Sequence, residues 1–253
     1  MKCVTTQHLS DGVELYSLVY EADDLPEEYK SENVIERYRS VTAQNKDVWD
    51  RFAPVYKFFV TGSPSNKKAY KDMYKRIRKV VADKEVLELA TGPGLIAKEV
   101  AGFTKSMIAT DFSEKMLEQA KQGLNPPNLT YEQADASDLK YDDDSFDIVI
   151  IANALHIVPD PQAVLSEIKR VLRPDGVLIA PNFIHTNDNK ISNMMSGILS
   201  KAGVVFEVEW DEKGYMEFLE TNGFRVVNSY VFKAVIPMMY TENTITNSGE
   251  KNE

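Results

Sequence analysis

Residues 85–97 read Glu-Val-Leu-Glu-Leu-Ala-Thr-Gly-Pro-Gly-Leu-Ile-Ala, and this stretch decides the fold. A short apolar run, interrupted only by Glu88, is followed by two glycines and then by apolar residues at helical spacing. The pattern predicts a buried strand, a tight turn and a helix. Glycine lets the backbone approach a ligand closely, and the free N–H groups at a helix start favour a polar or anionic group. The stretch therefore predicts a nucleotide-like cofactor site.

Two classes of cofactor fit this turn. Residues 92–97 match the dinucleotide fingerprint G-x-G-x-x-G/A, and the acidic Asp111 follows Gly92 by 19 positions, close to the expected ~20. The turn also resembles the first motif of class I S-adenosylmethionine-dependent methyltransferases, which has an acid in the strand and small residues at alternate positions. In this chain those residues are Glu88, Ala90, Gly92 and Gly94, and alanine at position 90 departs from the commonest glycine. The turn alone leaves both cofactors open.

Later segments favour the methyltransferase interpretation. Residues 106–111 predict a second strand ending in a carboxylate, which in either family can accept two strong hydrogen bonds from ribose hydroxyls. After a predicted third strand at residues 129–133, Asp135 and Ala136 resemble the acid-small pair that holds the adenine amino group in methyltransferases. That pair is not part of the dinucleotide fingerprint. With the motifs up to residue 180, the ordered set resembles the methyltransferases of the ubiquinone/menaquinone-biosynthesis type.

The resemblance implies S-adenosylmethionine as the cofactor. The residues that it assigns to cofactor binding are Glu88, Ala90, Thr91, Gly92, Gly94, Asp111, Phe112, Met116, Asp135, Ala136 and Asn153. The leader at residues 49–56, Trp-Asp-Arg-Phe-Ala-Pro-Val-Tyr, is similar to that of the same group, whose tyrosine lies over the cofactor near its reactive methyl. The resemblance therefore places Tyr56 there, and a tyrosine at the edge of the core is the alternative.

The alternation of strand and helix patterns from residue 85 to residue 180 predicts a parallel, doubly wound α/β sheet. Right-handed crossovers place the loops after the strands along one edge, so Gly92, Asp111, Asp135 and Asn153 should share one cleft. Predicted strands at residues 225–232 and 235–242 match the antiparallel pair that ends methyltransferase sheets. The resemblance then implies a mostly parallel, seven-stranded, Rossmann-like sheet. Residues 173–176, Arg-Pro-Asp-Gly, predict a turn into the fifth strand.

The chemistry of methyl transfer narrows the catalytic candidates. Any general base should lie near the ends of the fourth and fifth strands, and His156 is the candidate because its pKa range suits proton removal near neutrality. The alternative for His156 is a histidine that makes only a structural hydrogen bond in its loop. Tyr56 is the second catalytic candidate, and His185 is a weaker one. The sequence contains no carboxylate pair or metal-ligand cluster, so no metal is expected.

The net charge, the cysteine count and the absence of long apolar windows restrict the classes of substrate and the cellular location that we expect. The net charge of −10 argues against a nucleic-acid substrate, because such enzymes need a basic footprint to neutralise phosphates. The single cysteine, Cys3, excludes an internal disulfide framework. The start of the chain lacks the apolar core of a signal peptide, and no window approaches the ~20 apolar residues of a membrane span. We therefore expect a cytoplasmic protein with a small-molecule acceptor and without stable membrane insertion.

The predicted domain organisation has three parts. Residues 1–44 form an N-terminal extension, a hairpin plus a helix, because Asp11-Gly12 separates two strand-like runs. This extension is interpreted as a substrate-selecting cap, a dimer arm or an addition to the sheet edge, and it is compatible with a homodimer. Residues 45–242 form the methyltransferase domain with an insertion at residues 183–204. The resemblance implies that this insertion shapes the acceptor pocket, and plain packing is the favoured alternative. Residues 243–253 are predicted to be a disordered tail.

A basic amphipathic helix is predicted at residues 65–81, with an apolar face and a face rich in Lys and Arg. Such a helix can lie against anionic lipid, which would fit a lipid-modifying methyltransferase. The alternative, which we favour, is the solvated outer face of a helix packed on the sheet.

Three functions are compatible with the sequence. The first is methyl transfer from S-adenosylmethionine to a small molecule, with a lipid acceptor as a variant. The second is an NAD(P)-dependent oxidoreductase that uses the dinucleotide fingerprint. The third is a non-catalytic cofactor-binding protein whose N-terminal extension serves a partner.

Overall fold

The computed structural model describes the backbone of residues 5–8 and 14–17, and residues 48–51, 53, 62–185 and 208–246 in full. Contacts within the chain divide it into two units, Met1–Gln44 and Asn45–Glu253. In the first unit, strand β1 (Thr5–His8) pairs antiparallel with β2 (Glu14–Ser17), in agreement with the predicted hairpin. The predicted helix of that unit lies outside the described residues.

The second unit alternates strands and helices along the chain. Its elements are α1 (Pro64–Val80), β3 (Glu85–Leu89), α2 (Leu95–Val100), β4 (Ser106–Asp111), α3 (Glu114–Lys121), β5 (Leu129–Gln133), β6 (Phe146–Ile151), α4 (Pro161–Val171), β7 (Leu172–Ile179), β8 (Asn182–Phe183), α5 (Glu212–Thr221), β9 (Phe224–Phe232) and β10 (Met238–Ile245). Capping residues set several helix starts. The side chains of Ser63, Ser113 and Asp160 each accept a hydrogen bond from an N–H in the first turn of α1, α3 and α4.

The strands form one sheet in the order β5-β4-β3-β6-β7-β10, with β9 paired to the other edge of β10. The pairs from β5 to β7 are parallel, whereas β10 runs antiparallel to both β7 and β9. The described sheet has eight strands rather than the predicted seven, because the two-residue β8 pairs with the start of β10 beyond the end of β7. The predicted fold, a mostly parallel, Rossmann-like sheet with a C-terminal antiparallel pair, is confirmed.

Apolar residues cover both faces of the sheet. One buried cluster joins the sheet to α4 and α5 through Val164, Leu165, Ile168, Tyr215 and Leu219. The other joins it to α1 and α2 through Tyr70, Met73, Ile77, Ile96 and Val100. Central strands covered on both sides read as continuous apolar runs, as β6 does with Ile148–Val149–Ile150–Ile151. The sheet is therefore a rigid platform, and the polar residues that follow its strands lie in the loops along one edge.

Residues 173–176 are not a separate turn, as the sequence predicts, but part of β7. In the pairing of β6 with β7, Phe146 lies opposite Leu172 and Ile148 opposite Val177, so these four residues bulge across from Asp147. The guanidinium of Arg173 holds the bulge by binding Asp147 Oδ1 at 2.7 Å and Glu85 Oε2 at 2.6 Å. The bulge therefore depends on ion pairs to two other strands.

The last strand lies further along the chain than predicted. β10 spans Met238–Ile245 rather than residues 235–242, and Pro237, which lacks an N–H, precedes it. Asn243, assigned from the sequence to the disordered tail, is fully buried in β10, where its Nδ2 donates to Leu178 O at 3.0 Å. Residues 247–253, and most of the insertion predicted at residues 183–204, lie outside the described residues. Within the described part of the chain, no helix has the length and apolar character needed to span a membrane.

Candidate functional site

The turn after β3 has the backbone conformation that small residues allow. Ala90, Gly92 and Gly94 have φ angles of 51°, 56° and 73°, all in the left-handed region. A Cβ on Gly94 would lie 2.8 Å from Tyr131 Oη and 3.1 Å from Ala120 Cβ, so only glycine fits beneath this turn. At Ala90, the departure from the family motif places an L side chain at positive φ, which costs about 1–2 kcal/mol. The backbone of residues 90–94 thus adopts a tight turn in which side chains are small or absent.

Asp111, at the end of β4, ties two loops together. Its Oδ2 accepts a hydrogen bond from Gly92 N–H and its Oδ1 accepts one from Ser113 N–H, both at 2.8 Å. Burial raises the pKa of Asp111 to about 6, and the two N–H donors offset part of that rise. The carboxylate is thus fixed directly beside the glycine turn, and each of its oxygens has a further lone pair for a ligand hydroxyl.

Glu88 is a buried acid in the middle of the site, with 2% of its surface exposed. Burial raises its pKa to about 8, and the charge of Asp111 adds to the rise. The nearby Thr91 side chain and Ala97 N–H offset part of that rise, but Glu88 Oε2 and the Thr91 hydroxyl are buried and make no hydrogen bond within 3.5 Å in the part of the chain that the structure describes. Unpartnered buried polar atoms cost free energy, so these two atoms suit a polar ligand group that would enter beside them.

The loop after β5 approaches the same edge. Ala134 N–H donates to Asp111 O at 3.3 Å, which brings the next residue, Asp135, to the Asp111 loop. Asp135 Oδ1 accepts hydrogen bonds from the N–H and the hydroxyl of Ser137, at 2.9 and 2.7 Å. Ala136 is partly buried against the core. The loop therefore holds the Asp135 carboxylate in a fixed orientation.

Two cofactor-binding candidates follow β4, and they differ in exposure. The ring of Phe112 is 37% exposed, whereas Met116, in the first turn of α3, is buried. Ser113 lies between them, caps α3 and also donates a hydrogen bond from its hydroxyl to Asp50 in the helical segment of residues 48–51. The leader segment therefore contacts the Asp111 loop through Asp50. Tyr56, the leader residue singled out from the sequence, lies outside the described residues.

Asn153 follows β6 in a left-handed conformation, with φ 53°. Its N–H donates to Pro181 O at 2.7 Å, and its Nδ2 donates to Tyr70 Oη on α1 at 3.0 Å. Its Oδ1 is buried and has no hydrogen-bond partner within the described ranges. Asn153 therefore connects the loops after β6 and β7 to α1 and presents one unsatisfied acceptor.

His156 is enclosed three residues further on, with 6% of its surface exposed. Its Nδ1 lies 2.9 Å from Asn182 Oδ1, and because the Asn182 amide Nδ2 donates to Phe183 O, we assign the proton to Nδ1. Burial lowers the pKa of His156 to about 4, so the imidazole is neutral near pH 7. The weaker candidate, His185, has its Nε2 3.4 Å from Glu209 Oε1.

The structure thus joins the loops after β3, β4 and β5 by direct hydrogen bonds. It places Asn153 and His156 after β6, the strand that pairs with β3 on the side away from β4. Sequence reasoning missed Tyr131 and Tyr70, since nothing in the sequence indicates that they contact Gly94 and Asn153. It could have found Ser113, because serine before Glu114 is a recognisable helix cap. No group of three or more His, Cys, Asp or Glu that could hold a metal occurs in the described ranges.

Comparisons with known proteins show what this chain is similar to. Residues 87–180 match the methyltransferase domain family. The demethylmenaquinone methyltransferase of Clavibacter sepedonicus is 39% identical over 41% of this chain and 42% of its own length. The ubiquinone/menaquinone biosynthesis C-methyltransferase of Bdellovibrio bacteriovorus is 38% identical over 42% of this chain and 47% of its own. The chain thus spans about half the length of the curated relatives that it matches.

A solved structure extends the likeness to the fold of most of the chain. The 1,6-didemethyltoxoflavin-N1-methyltransferase of Burkholderia thailandensis, solved with 1,6-didemethyltoxoflavin and S-adenosylhomocysteine bound, has a TM-score of 0.63 at 17% identity. The match covers 84% of this chain and 90% of that one. Residues 87–180 are therefore similar to the methyltransferase domain family, in agreement with the resemblance to class I S-adenosylmethionine-dependent methyltransferases of the ubiquinone/menaquinone-biosynthesis type.

Proposed function

We propose that this protein transfers a methyl group from S-adenosylmethionine to a small-molecule acceptor. The observation that carries the proposal is the Asp111 carboxylate, held at 2.8 Å from the N–H of Gly92 beside a glycine turn. That arrangement lies within the residues that match the methyltransferase domain family. The alternatives, an NAD(P)-dependent oxidoreductase and a non-catalytic cofactor-binding protein, are not favoured by the relatives, which are methyltransferases.

The described residues suit the parts of this cofactor. Asp111 would accept hydrogen bonds from the ribose hydroxyls, and Asp135 with Ala136 would hold the adenine amino group. The partly exposed Phe112 and the buried Met116 are proposed to contact the adenine. Gly92 and Gly94 let the backbone come close to the ligand.

The charged amino-acid portion of the cofactor would then meet the unpartnered polar atoms. Glu88 Oε2 and the Thr91 hydroxyl lie below the turn that begins at Ala90, and Asn153 Oδ1 lies after the neighbouring strand. A cationic ammonium group donates hydrogen bonds, and all three of these oxygens can accept them. Binding of the ammonium group would therefore give hydrogen-bond partners to buried oxygens whose lack of one costs free energy.

A sulfonium supplies an already activated methyl group, so the remaining work of the chain is positioning, water exclusion and proton removal. Tyr56 is proposed to lie over the reactive methyl, and the neutral imidazole of His156 to act as general base through Nε2. The low pKa of His156 keeps it unprotonated near pH 7 but makes it a weak base. The alternative is a structural His156, whose hydrogen bond to Asn182 holds its loop in place.

The class of acceptor follows from the relatives and from charge. The relatives are named for methylating demethylmenaquinone and didemethyltoxoflavin, which are small molecules. The net charge of −10 opposes a nucleic-acid acceptor. We also propose a cytoplasmic location, because a chain with one cysteine has no internal disulfide, as is usual for proteins of the reducing cytoplasm. A homodimer is a further part of the proposal.

The test is product formation. Purified protein is incubated with S-adenosylmethionine and a panel of hydroxylated quinols, phenols and heterocyclic amines, and S-adenosylhomocysteine and methylated products are measured by mass spectrometry. We expect acceptor-dependent formation of S-adenosylhomocysteine that Asp111→Ala abolishes. Turnover that is unchanged in Asp111→Ala would contradict the proposed site.

A further inference from the structure

The first helix of the second unit concentrates positive charge in an acidic protein. Seven of the 29 Lys and Arg residues of the chain fall between positions 67 and 79, where Asp72 is the one acid. This segment carries a net charge of +6, so the remainder of the chain carries −16. The positive charge is therefore concentrated in α1.

The basic residues of α1 lie opposite its buried face. Ala69, Tyr70, Met73 and Ile77 are buried against the sheet. Successive residues turn by 100° around a helix, so the opposite side displays Lys67, Lys71, Lys75 and Lys79, which we call the basic row. All four are exposed, as is the adjacent Lys68. At ~1.5 Å per residue, the row extends for about 18 Å along the surface.

Most of this charge has no acidic partner. Lys75 binds Asp72 at 3.0 Å on the surface, and Arg78, which is not part of the row, binds Glu99. Lys67, Lys71 and Lys79 make no ion pair within the described ranges. The hydrogen bond to Lys75 lowers the pKa of Asp72, and the charges of Lys75, Lys68 and Lys71 lower it further.

We propose that the basic row is a docking surface for the phosphate headgroups of an anionic lipid bilayer. A straight row on the convex side of a helix fits a flat layer of phosphates, and a bilayer contacts only one side of an otherwise acidic protein. The apolar face of α1 is already occupied by the core, so the helix does not insert into the acyl region. The exposed ring of Tyr230 beside α1 has the Arg76 guanidinium over it at 4.3 Å, so that face of the ring is not open to a stacking base.

This docking is electrostatic and can be tested without an acceptor or cofactor. Co-sedimentation compares vesicles of phosphatidylcholine with vesicles that also contain phosphatidylglycerol, for the full chain and two variants. Lys67→Gln/Lys71→Gln removes two charges from the row and preserves helix propensity. The matched control, Lys140→Gln/Lys213→Gln, removes two exposed charges elsewhere and changes the net charge equally.

We expect binding only to vesicles that contain phosphatidylglycerol. Each basic residue near an anionic surface strengthens binding about fivefold, so the row variant should bind on the order of 30-fold more weakly, with the control unchanged. The binding should disappear near 1 M salt, where the Debye length falls to ~3 Å. Equal losses in both variants, or no binding of the full chain, would overturn the proposal. Tighter binding to RNA or duplex DNA than to vesicles, weakened by the row variant, would overturn it in favour of a nucleic acid.

Discussion

Gly92 donates its backbone N–H to Asp111 Oδ2 at 2.8 Å, and this bond joins the loop after β3 to the end of β4. The carboxylate that is proposed to bind the ribose is thus also the group that fixes the glycine turn. Cofactor affinity and the shape of the turn therefore depend on the same side chain.

The double role of Asp111 predicts a difference between two substitutions. Asp111→Asn keeps an oxygen that can accept from Gly92 N–H but removes the charge, so we expect a folded protein with tenfold or greater loss of S-adenosylmethionine affinity. Asp111→Ala should lose affinity further and also lower the melting temperature, because the Gly92 and Ser113 N–H groups lose their acceptor. Calorimetric titration and thermal melts measure the two effects. Asp175→Asn, an exposed carboxylate in the bulge of β7, is the control, and equal affinity in Asp111→Asn and the native protein would contradict the assignment.

A side chain at Gly94 should destabilise the protein. Gly94→Ala places a Cβ 2.8 Å from Tyr131 Oη at φ 73°, so we expect a loss of about 2 kcal/mol in the free energy of unfolding. Gly102→Ala is the matched control, since a Cβ there meets no atom within 4 Å. The double variant Gly94→Ala/Tyr131→Phe should recover part of the loss, because it removes the closest atom. Urea unfolding of the four proteins gives the comparison, and a Gly94→Ala variant as stable as Gly102→Ala would refute the steric account.

The burial of Glu88 predicts a stability that falls as pH rises. The folded protein holds the Glu88 proton up to about pH 8, whereas the unfolded chain releases it near the ordinary pKa of 4.5. The folded state therefore binds more protons between these values, and raising the pH destabilises it until Glu88 ionises in both states. His156 has its folded pKa lowered from 6.5 to about 4, so its opposite contribution ends about one pH unit above 6.5 and is the same in a variant of Glu88.

Glu88→Gln isolates that effect. Above about pH 6.5, the native protein without cofactor should lose stability faster than Glu88→Gln as the pH approaches 8. Thermal melts of both proteins over this interval provide the measurement. Parallel pH profiles would show that Glu88 does not hold its proton in the folded state.

His156 is tested by separating turnover from binding. If His156 removes the acceptor proton, His156→Ala should lower turnover by about 100-fold or more with nearly unchanged cofactor affinity. Asn182→Ala removes the Nδ1 partner and should shift the pH profile of turnover, since it changes the pKa of the imidazole. If His156 has only a structural role, His156→Ala and Asn182→Ala should both be less stable than the native protein. The pH profile of their remaining activity should then be unchanged.

The features that could be predicted from the sequence are those that depend on residues close together in the chain. The glycine turn, the acid that ends β4 and the mostly parallel sheet follow from residue patterns, and the structure confirms them. The bulge at residues 173–176 could not be foreseen, because Arg173 is held by Glu85 and Asp147, two residues from other strands. Asn243 reads as a polar tail residue, yet the carbonyl oxygen of Leu178 satisfies its amide inside the sheet.

Burial explains the remaining differences at the candidate site. The sequence suggests an ordinary histidine at position 156, but the fold encloses the ring and lowers its pKa. Likewise, Tyr131 lies in β5 and contacts Gly94, which precedes α2. Residues 94 and 131 are far apart in the chain, so no local pattern predicts this contact. Side chains that meet across elements are therefore the part of the site that requires coordinates.

The most direct test of the central claim is a calorimetric titration of the native protein with S-adenosylmethionine, S-adenosylhomocysteine and NAD. The account predicts binding of the first two at micromolar concentration and none of NAD. Binding of NAD without the other two would contradict it and make the turn at residues 92–97 a dinucleotide site.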